Sequence, residues 1–244
     1  PTPQLYALFP PYPLPICHQV YICDIDQQAL EQTLAAFPGM QGRCADVADS
    51  RQVTAMFTDL LSALGGIDVL INNAGIGGPR APLEDIADED WQRTLNVNLN
   101  GAFFCMREAA RLMKNQQSGC ITNISTASTR TGLPLRAAYV ASKYALQGLT
   151  LNSARELGPF NISCNALLPG AIDNDRGHAL VRQKAEEQGI SAAQAEQQRL
   201  QYISMRKRIE PAEIGQMALF LATHGRTISG QLIGVCGNSE WEPV

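Results

Sequence analysis

The sequence predicts an α/β fold built on a doubly wound, mostly parallel sheet that resembles a Rossmann fold. After residue 20, short apolar runs typical of buried strands alternate with helical patterns, as in parallel sheets covered by helices on both faces. The 244 residues are enough for one such domain with a sizeable core. The seven scattered cysteines lack a C-x-x-C pair, which indicates reduced thiols in a cytoplasmic protein.

Each predicted element follows from a local pattern of apolar residues and turn signals. The predicted strands are 20–23, 42–45, 68–72, 120–124, 162–167 and 232–236. The predicted helices are 27–36, 50–64 with Ser50 as its N-cap, 89–114 and 137–157. A polar helical stretch at 173–208 could be a solvent-exposed pair of helices or a lid over the substrate. We favour the lid because the stretch follows a strand end, where open α/β sheets bind ligands.

The start of the chain differs from the rest. Residues 1–17 hold six of the fourteen prolines, and no glycine precedes Gly39. Residues 5–9 could form a short strand, and residues 10–19 are long enough to lead back from its end to residue 20. The crossover would then lack a helix, because its prolines oppose one.

Tyr139 and Lys143 are the most informative pair in the chain. Residues four apart lie on one face of a helix, one turn from each other, so an ammonium would lie beside a phenol. A nearby positive charge favours the phenolate form. The pair therefore predicts proton transfer by a tyrosine near neutral pH.

Eight segments together resemble the classical short-chain dehydrogenase/reductase family over residues 18–240. In the order in which that family has them, these are Asp24, 45–47, 72–75, 96–98, 123–126, Tyr139 with Lys143, Pro169-Gly170 and 228–231. The resemblance implies an oxidoreductase that transfers hydride between NAD(H) and a secondary alcohol or ketone.

The same resemblance assigns four catalytic residues. Tyr139 would be the general acid and base, and Lys143 would favour its phenolate and hold the nicotinamide ribose. Asn98 would bend its helix and anchor a water molecule of the proton relay. Thr126 stands where the family usually has serine; it keeps the hydroxyl donor, while Ser125 beside it should face the other way.

The cofactor residues implied by the resemblance lie at strand ends. Asp24 would accept the adenosine 2′-hydroxyl and repel a 2′-phosphate, which favours NAD over NADP. Tyr139 and Lys143 also face the cofactor, and the remaining positions are Asp46, Val47, Asn73, Ala74, Gly75, Pro169, Gly170 and Ile172.

The front of the chain departs from the family pattern, which opens with a strand, a glycine-rich turn and a helix that receives the pyrophosphate. Here the first strand and helix are missing or replaced, so we divide the chain into an atypical segment at 1–17 and a dehydrogenase-like domain at 18–244. We hypothesise that residues 1–17 come from a fragment or a frame-disrupted product. A second interpretation therefore stays open, a non-catalytic relative that serves as a scaffold and binds no cofactor.

Charge and composition exclude several other classes. A net charge of −4 and a pI near 5.4 give no basic footprint for nucleic acid. The three histidines are far apart, which opposes a metal site, and no apolar run approaches the ~18 residues of a membrane span. The family resemblance implies a homo-oligomer, a dimer or tetramer, joined through the helices at 89–114 and 137–157.

Overall fold

The structure is a computed structural model that describes residues 19–239, apart from the side chain of Arg176. The predicted strand at 5–9 lies outside the described residues, and so does all but the last residue of the connection 10–19.

Two parallel sheets are present in the described part of the chain, which confirms the predicted α/β class. One sheet has two strands in the order β1-β2, and the other has four in the order β3-β4-β5-β6. The strands are β1 (Val20–Asp24), β2 (Met40–Cys44), β3 (Val69–Asn72), β4 (Gly119–Ile124), β5 (Ile162–Pro169) and β6 (Leu232–Val235).

Helices connect the strands, and within residues 19–239 none is long and apolar enough to cross a membrane. They are α1 (Gln27–Ala36), α2 (Ser50–Leu64), α3 (Asp88–Leu95), α4 (Gly101–Gln116), α5 (Ser128–Thr131), α6 (Ala137–Leu157), α7 (Asp175–Gln188), α8 (Ala192–Leu200) and α9 (Pro211–Thr223).

Two helix predictions were wrong in detail. Asp49, and not Ser50, is the N-cap of α2, because its carboxylate accepts from the backbone N–H groups of Arg51 and Gln52. The helix predicted at 89–114 is interrupted, because a π-helical turn at Asn96–Asn100 separates α3 from α4. Such turns insert a wider hydrogen-bonded ring that the apolar pattern of a sequence does not reveal.

The four-stranded sheet is buried on both faces, as expected for parallel strands. On one face, Ile121 of β4 belongs to a cluster with residues of α2 and α4. On the other, Cys120 and Ile124 pack with Ile214 and Leu221 of α9, a helix that the sequence patterns did not predict. The side chains of neighbouring residues in one strand thus pack into core layers on opposite faces of the sheet.

The parallel pairing brings the carboxyl ends of β3, β4 and β5 to one edge of this sheet. Hydrogen bonds of the ladder continue past the strand ends, where Ser125 N donates to Leu167 O and Gly170 N donates to Val235 O. The predicted site residues that follow these strands are therefore close neighbours.

Thr122, a buried residue of β4, supplies a stability test. Its Oγ1 has no hydrogen-bond partner among the described residues. Replacing it by valine keeps the shape and removes an unsatisfied hydroxyl, so we expect Thr122→Val to raise the free energy of unfolding by about 1 kcal/mol in urea denaturation.

The matched control is Thr150→Val in α6. Thr150 Oγ1 donates to Leu146 O at 2.7 Å and accepts from Asn123 Nδ2 at 2.9 Å. The same change there should lower stability by about 2 kcal/mol, because it leaves a buried amide unpaired. A loss of stability in Thr122→Val as large as that in the control would contradict this interpretation.

Candidate functional site

Helix α6 carries Tyr139 and Lys143 one turn apart, as the sequence predicted. Lys143 is only 4% exposed, and its Nζ donates to Ile124 O at the end of β4, at 2.7 Å. Tyr139 is half-buried. A buried ammonium is costly unless polar groups surround it, and Ile124 O supplies one such group for Lys143.

Gly75, in the loop after β3, lies against this charge. A Cβ atom on Gly75 would lie 3.3 Å from Lys143 Nζ and 3.1 Å from Asn98 Oδ1. These separations are tighter than ordinary van der Waals contact, so a side chain here would push against both groups. The loop after β3, the π-helical turn and α6 therefore meet at one point.

The Asn98 side chain holds that meeting point together. Its Oδ1 accepts from Ile76 N at 2.8 Å, and its Nδ2 donates to Ile76 O at 2.9 Å and to Ser142 Oγ at 3.0 Å. Asn98 is 1% exposed and lies in the middle of the π-helical turn. Both polar atoms of its carboxamide therefore have hydrogen-bond partners.

Thr126 and Ser125 are used differently, as expected from their order after β4. Ser125 Oγ donates to Lys143 O at 3.2 Å and accepts from Gln147 Nε2 at 2.8 Å, so it faces α6. Thr126 Oγ1 accepts from Ser128 N at 3.2 Å. A hydroxyl that accepts one bond keeps a hydrogen to donate, which suits the role implied for Thr126.

Six predicted cofactor residues line a single cavity of about 2570 Å³ that lies between β1 and β3; they are Asp24, Asp46, Val47, Asn73, Ala74 and Gly75. The other seven predicted site residues do not line it: Asn98, Thr126, Tyr139, Lys143, Pro169, Gly170 and Ile172. Gly75 joins the two groups, since it lines the cavity and lies against Lys143.

The cavity residues at strand ends have defined orientations. Asp24 Oδ1 accepts from Asp26 N at 2.9 Å, and Asp46 Oδ1 accepts from Ala48 N at 2.8 Å. Val47 packs so closely on the start of α4 that a Cβ on Gly101 would come within 2.8 Å of its Cγ2.

The turn after β5 is fixed by its neighbours. Pro169 O accepts from Ala127 N at 2.8 Å, and a Cβ on Gly170 would lie 2.8 Å from the Cα of Cys236. Ile172 forms an isolated parallel bridge with Ile209. Asn174, two residues further along, caps α7 by accepting from Gly177 N at 2.8 Å.

A dinucleotide fits these residues in part. The carboxylate of Asp24 and the backbone around Gly75 could hold its two ends. For the phosphates, Gly75, Gly77 and Gly78 are followed by Pro79, which has no N–H to donate. Within residues 19–239, no helix opens directly from a glycine-rich turn, and α1 begins at the carboxylate cap Asp26.

The sequence did not reveal the network that ties the strands together. Asn72 Nδ2 donates to Asn123 Oδ1 at 2.7 Å, and Asn123 Nδ2 donates to Thr150 Oγ1. The side chain that bonds across from β3 to β4 is thus Asn72, next to the predicted Asn73. Asparagines among apolar strand residues are the signal that could have identified the pair.

The segment at 173–208 forms two helices, and two arginines link them to neighbouring parts of the chain through ion pairs and hydrogen bonds. Arg208, 7% exposed, donates from Nε and Nη2 to both carboxylate oxygens of Glu196 at 2.7 Å and from Nη1 to Ile172 O at 2.9 Å. Arg80, in the loop after β3, pairs with Glu187 of α7 at 2.5 Å. These contacts hold α7 and α8 beside the carboxyl edge of the sheet.

Two of the buried cysteines are poor candidates for catalytic nucleophiles. Burial raises the pKa of Cys105 and Cys164 to about 12, so neither thiol is a ready nucleophile near neutral pH. Among the described residues, no cluster of metal-binding side chains occurs.

The chain is similar in sequence to known proteins over most of its length. The sequence model of a family described as enoyl-(acyl carrier protein) reductase matches residues 18–237. A 3beta-hydroxysteroid dehydrogenase of Mediterraneibacter gnavus is 41% identical over 128 residues, 52% of this chain and 46% of that protein, so the chain spans about half of that relative's length. A 3-oxoacyl-(acyl-carrier-protein) reductase FabG of Staphylococcus aureus is 35% identical over 194 residues, 79% of this chain and 74% of that protein.

Solved structures extend the comparison to the fold. An NAD+-bound xylitol dehydrogenase superposes with a TM-score of 0.83 and 29% identity, covering 90% of this chain and 88% of that one. An actinorhodin polyketide ketoreductase variant with NADPH gives a TM-score of 0.84 and 26% identity, covering 89% and 86%. Because the family match runs from residue 18 to residue 237, the chain belongs to the classical short-chain dehydrogenase/reductase family.

Proposed function

We propose that this chain is an oxidoreductase that transfers a hydride between NAD(H) and a secondary alcohol or ketone. The observation that carries the proposal is the buried ammonium of Lys143, one helical turn from Tyr139 and against Gly75. A Lys143 ammonium buried here would favour the tyrosinate form of Tyr139 during proton transfer.

In this mechanism the bound nicotinamide supplies or accepts the hydride. Tyr139 donates its phenolic proton to the carbonyl oxygen during reduction and takes the hydroxyl proton during oxidation. Thr126 donates a hydrogen bond to the same substrate oxygen, which orients it. Asn98 keeps the loop at Ile76 in place, so that the cofactor side of the site and α6 stay in register.

We further propose NAD(H) as the preferred cofactor. Asp24 ends β1, lines the cavity and orients one oxygen toward the N–H of Asp26. A carboxylate at a strand end can accept from the adenosine 2′-hydroxyl, and its charge repels a 2′-phosphate. The solved relatives include one with NAD+ and one with NADPH, so the preference has to come from residues such as Asp24.

The substrate class rests on the relatives and on the lid. Hydroxysteroid dehydrogenases and 3-oxoacyl reductases are named for secondary hydroxyl or keto groups. We propose that α7 and α8 form the substrate lid, held by Arg208 and by the pair of Arg80 with Glu187. Their own small core contains Val181, Ala185 and Ala195.

We also propose that the chain forms a homo-oligomer and that it is located in the cytoplasm. Large apolar side chains remain exposed along α4 and α6, namely Phe103 at 42%, Tyr144 at 53% and Leu151 at 43%, and a second copy of this chain could cover them. The described cysteines are free thiols, as the reducing cytoplasm would keep them.

Tyr139→Phe tests the proposed chemistry. Removing the phenolic oxygen should lower turnover of secondary alcohols with NAD by about 10³-fold, within the range expected for losing a general acid and base. Binding of NADH, followed by calorimetry, should persist, because the ring and the Lys143 ammonium remain. The matched control is Tyr144→Phe, an exposed tyrosine five residues further along α6, which should keep full activity.

Two results would oppose the proposal. Full activity in Tyr139→Phe would assign the proton transfer to another group. A folded chain that binds neither NADH nor NADPH would favour the alternative of a non-catalytic relative that serves as a scaffold.

Asp24→Asn tests the cofactor preference. The amide keeps an oxygen for Asp26 N but loses the charge that repels a 2′-phosphate. The ratio of NADPH to NADH dissociation constants, measured by quenching of protein fluorescence, should fall about tenfold, equivalent to 1.4 kcal/mol. Asp85→Asn, an exposed carboxylate in a 3₁₀ turn outside the cavity lining, should leave the ratio unchanged. An unchanged ratio in Asp24→Asn would remove Asp24 from the binding site.

A further inference from the structure

Helix α6 carries a third polar side chain on the face that bears Tyr139 and Lys143. Gln147 follows Lys143 by four residues, as Lys143 follows Tyr139, so the three side chains lie in one row along the helix. Gln147 is buried, with 6% of its surface exposed. Because a buried carboxamide costs free energy unless it is hydrogen-bonded, its partners indicate what this side chain supports.

The amide nitrogen of Gln147 binds two buried hydroxyl groups. Its Nε2 donates to Ser125 Oγ at 2.8 Å and to Thr129 Oγ1 at 2.7 Å. A carboxamide nitrogen has two hydrogens, and these two bonds use both of them. Ser125 and Thr129 lie on either side of Thr126 in the chain. Gln147 is therefore bonded to the chain before and after the residue whose hydroxyl is proposed to orient the substrate.

These bonds also determine where the two hydroxyl hydrogens point. A hydroxyl has one hydrogen, and when its oxygen accepts from Gln147 that hydrogen is left for another acceptor. Ser125 Oγ donates to Lys143 O at 3.2 Å. Thr129 Oγ1 donates to Thr126 O at 2.8 Å. Two short chains of hydrogen bonds thus begin at Gln147, and one of them ends on the backbone of Thr126.

The turn bonded to Gln147 holds the Thr126 side chain in place. Ser128 N donates to Thr126 Oγ1 at 3.2 Å, and Thr129 N donates to Thr126 O at 3.3 Å. Because the χ1 angle of threonine is restricted, the direction of its hydroxyl follows the backbone of the turn. A shift of this turn would therefore move the Thr126 hydroxyl relative to Tyr139.

We propose that Gln147 is a positioning residue that fixes the Thr126 hydroxyl relative to Tyr139. One face of α6 then places three groups of the site: the phenol, the ammonium and, through the turn, the hydroxyl that orients the substrate oxygen. The inference rests on the proposed function for the part that Thr126 takes in the reaction. The dependence of the turn on Gln147 can be measured without cofactor or substrate.

Amide hydrogen exchange, followed by NMR, tests the dependence of the turn on Gln147. In the unmodified chain, we expect the Nε2 hydrogens of Gln147 to exchange at least about 100-fold more slowly than in an unstructured peptide. Gln147→Met keeps an unbranched side chain of similar length and removes both donors. In this variant, the backbone amides of Ser128 and Thr129 should exchange at least about tenfold faster than in the unmodified chain.

Turnover of secondary alcohols with NAD tests the effect on the reaction. We expect Gln147→Met to lower kcat about tenfold and to change KM less than about twofold, because a misplaced hydroxyl loses its bond mainly in the transition state. In chains that also carry Thr126→Val, which removes the hydroxyl, Gln147→Met should change kcat less than about twofold.

Thr150→Val is the matched control in the next turn of α6. It also removes buried hydrogen bonds, but these join Thr150 to Leu146 and Asn123. Its kcat should stay within about twofold of that of the unmodified chain. A loss of kcat as large as that in Gln147→Met would attribute the effect to general destabilisation and overturn the proposal.

Three further results would also overturn it. Unprotected Nε2 hydrogens of Gln147 in the unmodified chain would do so, and this result does not require that any variant folds. Unchanged exchange of Ser128 and Thr129 in Gln147→Met would show that the turn does not depend on Gln147. An equal fold loss of kcat with and without the Thr126 hydroxyl would show that Gln147 acts through another group.

Failure of the proposed function gives a different result. An unmodified chain that turns over no secondary alcohol would contradict the proposed reaction. The exchange rates alone would then decide whether Gln147 fixes the turn that carries Thr126.

Discussion

The carboxamide of Asn98 is the constraint on which the candidate site depends. It binds both the N–H and the C=O of Ile76 and also reaches Ser142 in α6, so one side chain connects the loop after β3 with two helices. Gly75, the residue before Ile76, is thereby held against the buried ammonium of Lys143. The π-helical turn gives Asn98 this position, which is consistent with the frequent occurrence of such turns at functional sites.

Much of the site was predictable because its spacing is local. The pair of Tyr139 and Lys143 follows from helix geometry alone, and the predicted helices 27–36 and 137–157 agree with the structure. The bonds from Asn72 through Asn123 to Thr150 were not predicted, because they join residues far apart in the chain. The cap of α2 was misplaced by one residue, since aspartate and serine are similarly good caps and only the backbone geometry distinguishes Asp49 from Ser50.

The separation of the two sheets connects the fold to the proposed function. The residues proposed to be catalytic, among them Lys143 and Asn98, are supported by the four-stranded sheet, while Asp24 belongs to the two-stranded sheet. The proposed cofactor would therefore have to contact residues of both sheets. The geometry around Lys143 is built by packing within the larger sheet and its helices.

The most direct test of this account is the free energy of unfolding of Asn98→Leu, measured in urea beside Asn100→Leu. Loss of the Asn98 carboxamide leaves the N–H and C=O of Ile76 unpaired, so we predict a loss of about 3 kcal/mol. Asn100 bonds to Asn96 on the partly buried side of the same turn, and its replacement should cost less than about 1 kcal/mol. Equal stability of the two variants would contradict the claim that Asn98 holds the site together.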